Sequence, residues 1–183
     1  MLKYNICFVR RGSEILLLNR ERSSWMGRWN GVGGKLEQDE EPRASMIREL
    51  EEETGILDYE LRFKGAVTWS SGGSQFGGMY VYLADVSESL VYPTPVKTDE
   101  GILDWKTIEW IMHEQNEGIA SNVPRALSYM LHDDRCYDHH CLFSGHSIVD
   151  QTATAMMPEF ETDPAYRERY LLRYSAAIGQ TSR

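Results

Sequence analysis

Between Gly34 and Ile56 the chain reads GKLEQDEEPRASMIRELEEETGI, and no other stretch restricts its possible structure as strongly. Pro42 suits the first turn of a helix, where its missing N–H would go unpaired anyway. Gly55 stands where a left-handed cap residue is expected. Between them Ala44, Ile47 and Leu50 recur every three residues and predict an apolar packing stripe. At ~100° per residue, Glu49, Glu52 and Glu53 share an arc of about 100° on the opposite face. Like charges at these spacings repel by roughly a few tenths of a kcal/mol per pair. A helix C-terminus is also the wrong end for anions. A divalent cation, Mg²⁺ or Mn²⁺, held by the carboxylates and by backbone carbonyls would turn that repulsion into attraction.

The 183 residues are enough for one domain with a sizeable core, and 42% apolar with 26% charged residues is ordinary for a globular protein. A formal charge of −9 argues against a grip on a nucleic-acid polymer, though not against a small nucleotide whose phosphates are neutralised by metal. Three cysteines, Cys7, Cys136 and Cys141, fit a reducing cytoplasm better than a disulfide scaffold. No apolar run approaches the ~20 residues of a membrane span, and MLKYNICFVRRG reads as a strand rather than a signal peptide. No decisive interface stripe separates a monomer from a homodimer.

Tyr4–Arg10 and Glu14–Asn19 are predicted as a hairpin around Arg11-Gly12-Ser13. Trp29–Leu36 brings a glycine-rich segment into the acidic helix. Leu61–Ser70 and Met79–Val86 read as strands joined by the loop Ser71–Gly78, and Ile102–Glu109 as another strand. Trp110–His113 opens a short helix and Asn122–Leu131 a longer one. Tyr137–Val149 holds a last hairpin around Ser144-Gly145. Asp163-Pro164 is an N-cap and first-turn pair, opening a helix to about Ile178 with Tyr166, Tyr170, Leu171 and Tyr174 as its packing stripe. The order is α/β, a mixed sheet flanked by helices. Residues 1–150 form the expected domain, with 151–183 as an extension whose helix, about 163–178, packs on it.

The complete pattern of Gly34–Ile56 resembles the Nudix box: G, five residues, E, seven residues, R-E, an aliphatic, one residue, E-E, one residue, G, an aliphatic. Every fixed position is matched by Gly34, Glu40, Arg48, Glu49, Leu50, Glu52, Glu53, Gly55 and Ile56. The resemblance implies an α/β/α sandwich in which the box forms a loop–helix–loop. It also implies metal-dependent hydrolysis of a nucleoside diphosphate linked to another group. On that reading Glu52 and Glu53 bind Mg²⁺, and Glu49 is a further ligand and a candidate base. The carbonyl of Gly33 is a metal ligand in relatives. Glu100, with Asp99 second, matches the acidic residue that completes the cluster or takes the base role. Arg48 would orient a carboxylate bidentately. Glu40 is a further ligand or a loop-fixing acceptor.

Trp29-Asn30-Gly31-Val32-Gly33-Gly34-Lys35-Leu36-Glu37 is similar to the corresponding stretch of MutT-like enzymes that remove oxidised purine triphosphates from the nucleotide pool. The Glu100-Gly101…Trp105 region and Phe143–Thr152 look like that subgroup too. This implies the reaction 8-oxo-dGTP + H₂O → 8-oxo-dGMP + pyrophosphate. The resemblance puts Asn30 against the purine; Lys35 is placed to meet phosphate oxygens, and Arg20 and Gly34 complete the substrate-binding set. Those relatives often carry a tryptophan and nearby acidic residues after the late strand; His113–Gly118 here has no aromatic, leaving Trp25, Trp69 or Trp110 as stacking faces. The same machinery acting on ADP-ribose, a dinucleoside polyphosphate or another nucleotide is the alternative, and a nucleotide sensor that does not cleave is a remote one. Cys136, His139, His140 and Cys141 lie within six residues, but neighbours on a strand point to opposite faces, so zinc is not expected there.

Overall fold

A computed structural model describes residues 2–71, 75–145 and 147–178. Among the described residues nine strands form one mixed sheet: β1 (Tyr4–Arg11), β2 (Glu14–Arg20), β3 (Trp29–Asn30), β4 (Glu60–Ser71), β5 (Gln75–Asp85), β6 (Val96–Lys97), β7 (Gly101–Thr107), β8 (Cys136–Ser144) and β9 (Ser147–Met156). Their order is β6-β7-β2-β1-β5-β4-β8-β9, with β3 beside β2. The β1–β5 and β4–β8 pairs are parallel, and the rest are antiparallel.

Helices cover both faces. Cys7, Val9, Leu16, Leu18 and Tyr82 point toward α1 (Pro42–Thr54) and α4 (Pro164–Ile178). Ile6, Phe8, Ile15, Leu17 and Leu83 point toward α2 (Ile108–Met112) and α3 (Val123–His132). Strands sandwiched in this way read as continuous apolar runs, which is why Ile15–Leu18 is apolar at every position. The expected α/β architecture is therefore present.

Several boundaries moved. The segment read as a loop from Ser71 to Gly78 is mostly strand; 72–74 lie outside the described residues. Gly77 is there for packing rather than for a turn: it faces Trp69 across the pair, and a Cβ on it would come within 2.5 Å of the indole. The last hairpin extends to Met156, beyond the expected Val149. Asp163 caps α4 by accepting the N–H groups of Ala165 (2.9 Å) and Tyr166 (3.1 Å). Tyr166, Tyr170, Leu171 and Tyr174 pack on the core as expected.

The apolar stripe expected on α1 is wrong. Ala44 and Ile47 face outward, with Ile47 43% exposed, while Pro42, Ser45, Met46, Leu50 and Thr54 are buried. At ~100° per residue Glu53 falls about 20° from Met46, so it lies on the packed side and not opposite it. The helix is turned to deliver carboxylates to the glycine-rich segment rather than to bury every apolar residue.

Strand β4 bulges at Lys64: Phe63 pairs with Tyr82, Gly65 pairs with Val81, and Lys64 is the extra residue. Gly65 has φ +114°, and a Cβ there would lie 2.0 Å from the Tyr137 carbonyl oxygen. Gly65→Ala is expected to lower stability by about 2–4 kcal/mol, read from the urea midpoint; a loss under about 0.5 kcal/mol contradicts this account of the bulge.

Candidate active site

The glycine-rich segment is held between β1 and α1 by polar side chains. Asn5, buried on β1, accepts the N–H of Gly34 (3.0 Å) and donates to Ser45 Oγ on α1 (2.8 Å). The Glu53 carboxylate accepts the N–H of Gly33 (2.9 Å). Gly34 packs so closely on Glu49 that a Cβ would lie 2.5 Å from its carboxyl group. A side chain at 34 would therefore push this carboxylate away.

Arg48 organises the acidic residues around it. Its Nε and Nη2 donate to Glu40 (2.9 and 3.0 Å), and its Nη1 lies 2.9 Å from Glu49 and 3.0 Å from Glu52. These bonds hold the Glu40 carboxyl down at about 2. Glu40 is thereby the loop-fixing acceptor, and its Oε2 also accepts the N–H of Glu37 (2.9 Å).

Burial dominates at the other two carboxylates. It raises Glu49, against the pull of Arg48. It raises Glu53 to about 7, with further repulsion from Glu100 and Glu49 and despite the Gly33 N–H. Glu100 precedes β7 and pairs with Arg20 (3.4 Å) and Arg22 (3.9 Å). Asp99, the second candidate, is exposed.

A cleft of about 810 Å³ opens at this end of the sheet. Arg20, Asn30, Gly33, Gly34, Lys35 and Glu100 line it, so the expected substrate-binding residues meet in one place. Glu49 and Glu53 reach the same glycines from α1. Asn30 is oriented by its own loop, Oδ1 accepting the N–H of Gly31 (2.9 Å). Trp25, Trp69 and Phe143 give the cleft aromatic walls. Trp110 does not reach it; its indole packs on Gly118. The six-residue stretch from Cys136 divides between the two sheet faces: Asp138 bonds Thr68 (2.7 Å) and His140 bonds Thr68 and Ser70 (2.9 and 3.0 Å), while buried His139 lies against Tyr129 of α3.

The expected metal set of Gly33, Glu49, Glu52, Glu53 and Glu100 is only partly gathered. Among the described residues no three His, Cys, Asp or Glu side chains converge closely enough to hold an ion. The reason lies in protein partners: Arg48 draws Glu52 outward, where its side chain is 60% exposed, and Arg20 and Arg22 hold Glu100. The donor chemistry still fits a hard divalent cation: oxygen ligands, two carboxylates that burial makes costly to ionise, and glycines that leave room beside them. Asn5 and Ser45 went unnoticed in the sequence, since no spacing marks a lone amide on a strand or a lone hydroxyl on a helix.

Comparison with known proteins places this geometry in context. A NUDIX domain model matches residues 3–130. The Nudix hydrolase YvcI of Bacillus subtilis (strain 168) is 30% identical over 156 residues, covering 85% of this chain and 87% of that protein. The oxidized purine nucleoside triphosphate hydrolase of Mus musculus is 29% identical over 109 residues, covering 59% of this chain and 67% of that one. The crystal structure of the mutator MutT protein from Bacillus halodurans superposes with a TM-score of 0.69 at 22% identity, covering 84% of this chain and 97% of that one.

The pKa of Glu53 lies above its usual 4.5, so the stability this group contributes is fully present below that value and is lost as pH rises through about 7. Glu53→Gln keeps the shape and the acceptor for Gly33 without the charge. In chelator, the variant is expected to match the native protein near pH 4 and to exceed it by up to about 3 kcal/mol near pH 8, measured by denaturant titration. Equal stability of the two at the higher pH contradicts the burial argument.

Proposed function

The chain belongs to the NUDIX domain family and is a Nudix hydrolase, and from that premise we propose that it cleaves a nucleoside triphosphate carrying an oxidised purine, such as 8-oxo-dGTP, to the monophosphate and pyrophosphate. The observation that carries this reading is the composition of the cleft. Its aromatic walls, Trp25 and Trp69, suit a purine, and Lys35, Arg20 and the Gly33–Gly34 backbone suit the phosphates. The similarity to the mouse enzyme supports the choice of base.

In this reading Glu52, Glu53, Glu100 and the Gly33 carbonyl are the groups that would hold a divalent cation, Mg²⁺ or in its place Mn²⁺. Such an ion supplies neutralisation of phosphate charge. Glu49 would take the proton of the attacking water, since burial already raises its affinity for one. Arg48 keeps Glu49 in place through a contact of 2.9 Å. Asn30 meets the purine edge, and Lys35 meets the phosphate oxygens as a point charge.

With Mg²⁺, a panel of nucleotides should give its highest kcat/KM on the oxidised purine triphosphate, with pyrophosphate and a monophosphate as products. Faster release of AMP and ribose phosphate from ADP-ribose sinks the substrate choice and leaves the hydrolase intact. Glu49→Gln should lower kcat by roughly 100-fold or more with the fold unchanged by circular dichroism. Near-normal turnover removes Glu49 from this role.

A further inference from the structure

On the side of the sheet covered by α1 and α4, away from the cleft, lies a second cavity of about 810 Å³. That is within the ~300–1,000 Å³ usual for small-molecule sites. Five cations line it, Arg43, Arg62, Lys64, Arg135 and Arg173, against two carboxylates, Asp134 and Glu161. In a chain of net charge −9 this is a local reversal of sign.

Three of the five cations are matched within the protein. Arg43 pairs with Glu161 (2.8 Å), Arg135 with Asp133 (2.6 Å), and Arg62 with Asp85 and, at 3.6 Å, with Asp134. Among the described residues Lys64 and Arg173 make no ion pair. Arg173 is exposed, lies 3.5 Å over the Tyr170 ring and donates to the Tyr170 carbonyl (3.1 Å).

Lys64 is the unusual member. It is the extra residue of the β4 bulge, and only 2% of it is exposed. Its ammonium donates to the Asp133 carbonyl (2.6 Å). The Asp133 carboxylate is already taken by Arg135 and Tyr137, and the Asp134 side chain stands fully in solvent. A buried ammonium has three donors, and among the described residues no carboxylate pairs with this one, Asp133 and Asp134 acting on it only from a distance, so an anion binding beside it would be favoured. Bulges commonly re-aim a side chain beside a site, and this one does so at the cavity wall.

We propose that this cavity binds a small organic anion, one phosphate or carboxylate on a flat apolar body. The acid group sits with Lys64 and Arg173, and the body lies along Tyr166 and Met156, which line the same space. The site is independent of the hydrolytic cleft and would stand if the substrate assignment failed.

Calorimetric titration of the intact protein in chelator, with phenyl phosphate, benzoate and inorganic phosphate as probes, tests this. One saturable site is expected for phenyl phosphate or benzoate, whichever acid group is preferred, with inorganic phosphate weaker. Lys64→Met and Arg173→Glu should each weaken that binding about tenfold or more while hydrolysis continues. Lys64→Met removes a buried charge that makes no ion pair among the described residues, and Arg173 is exposed, so at least the second variant reports on binding whatever the first does to folding. No saturation by about 10 mM, equal affinity for inorganic phosphate, or unchanged affinity in Arg173→Glu overturns the proposal.

Discussion

The N–H of Gly33 donating to the Glu53 carboxylate is the contact from which the rest of the candidate site follows. It draws the glycine-rich segment onto α1, and Asn5 repeats the tie one residue later between Gly34 and Ser45. For Glu53 to reach that N–H, α1 must present it on its packed side beside Met46 and Leu50. Burying a carboxylate there raises its pKa, and one hydrogen bond does not offset the lost water. The turned helix, the exposed Ile47 and the raised acid are thus one consequence seen at three scales.

Arg48 solves a second difficulty. Glu49, Glu52 and Glu53 crowd the last turns of α1, where repulsion and the helix dipole both oppose them, and Glu40 of the preceding loop lies close by. One guanidinium meets Glu40, Glu49 and Glu52 together, and its planar fork fixes directions that an ammonium would leave loose. Glu40 is locked in the loop, whereas Glu52 is held only at the surface. Carboxylates held in this way lose less freedom on binding any ligand than free ones would.

Much of this was legible in the sequence, because some residues have one sensible use. Pro42 and Gly55 mark the ends of α1, Asp163 the start of α4, and the unbroken apolar runs the central strands. The glutamate spacing brings Glu49 and Glu53 to Gly34 and Gly33, while Glu52 turns outward. The phase of α1 was not legible, since a hydrophobic stripe is inferred by assuming that charges face water. Glu53 violates that assumption because its carboxylate accepts the N–H of Gly33. Gly77 and Gly78 read as a turn because glycine usually breaks a strand, yet here the missing side chains make room for Trp69 beside Gly77 and for Leu2 beside Gly78. β3 and β6, two residues each, are too short to show any period.

Strand alternation, reset on β4 by the bulge at Lys64, lets one sheet carry both the cleft and the cationic cavity. Along β4, Val67, Trp69 and Ser71 line the cleft, while Phe63 and the bulged Lys64 line the other space. β8 divides in the same way: Cys141 and Phe143 face the cleft, and Cys136 faces the cavity. The family match ends at residue 130, before β8, β9 and α4 begin. This later segment closes one wall of the cleft and most of the second cavity. Gly65 sits where the strand passes from one role to the other, and its contact with the Tyr137 carbonyl leaves no room for a side chain there. Divergence in the segment after residue 130 can therefore alter the cationic cavity while the carboxylates, which come from the region before it, keep their arrangement.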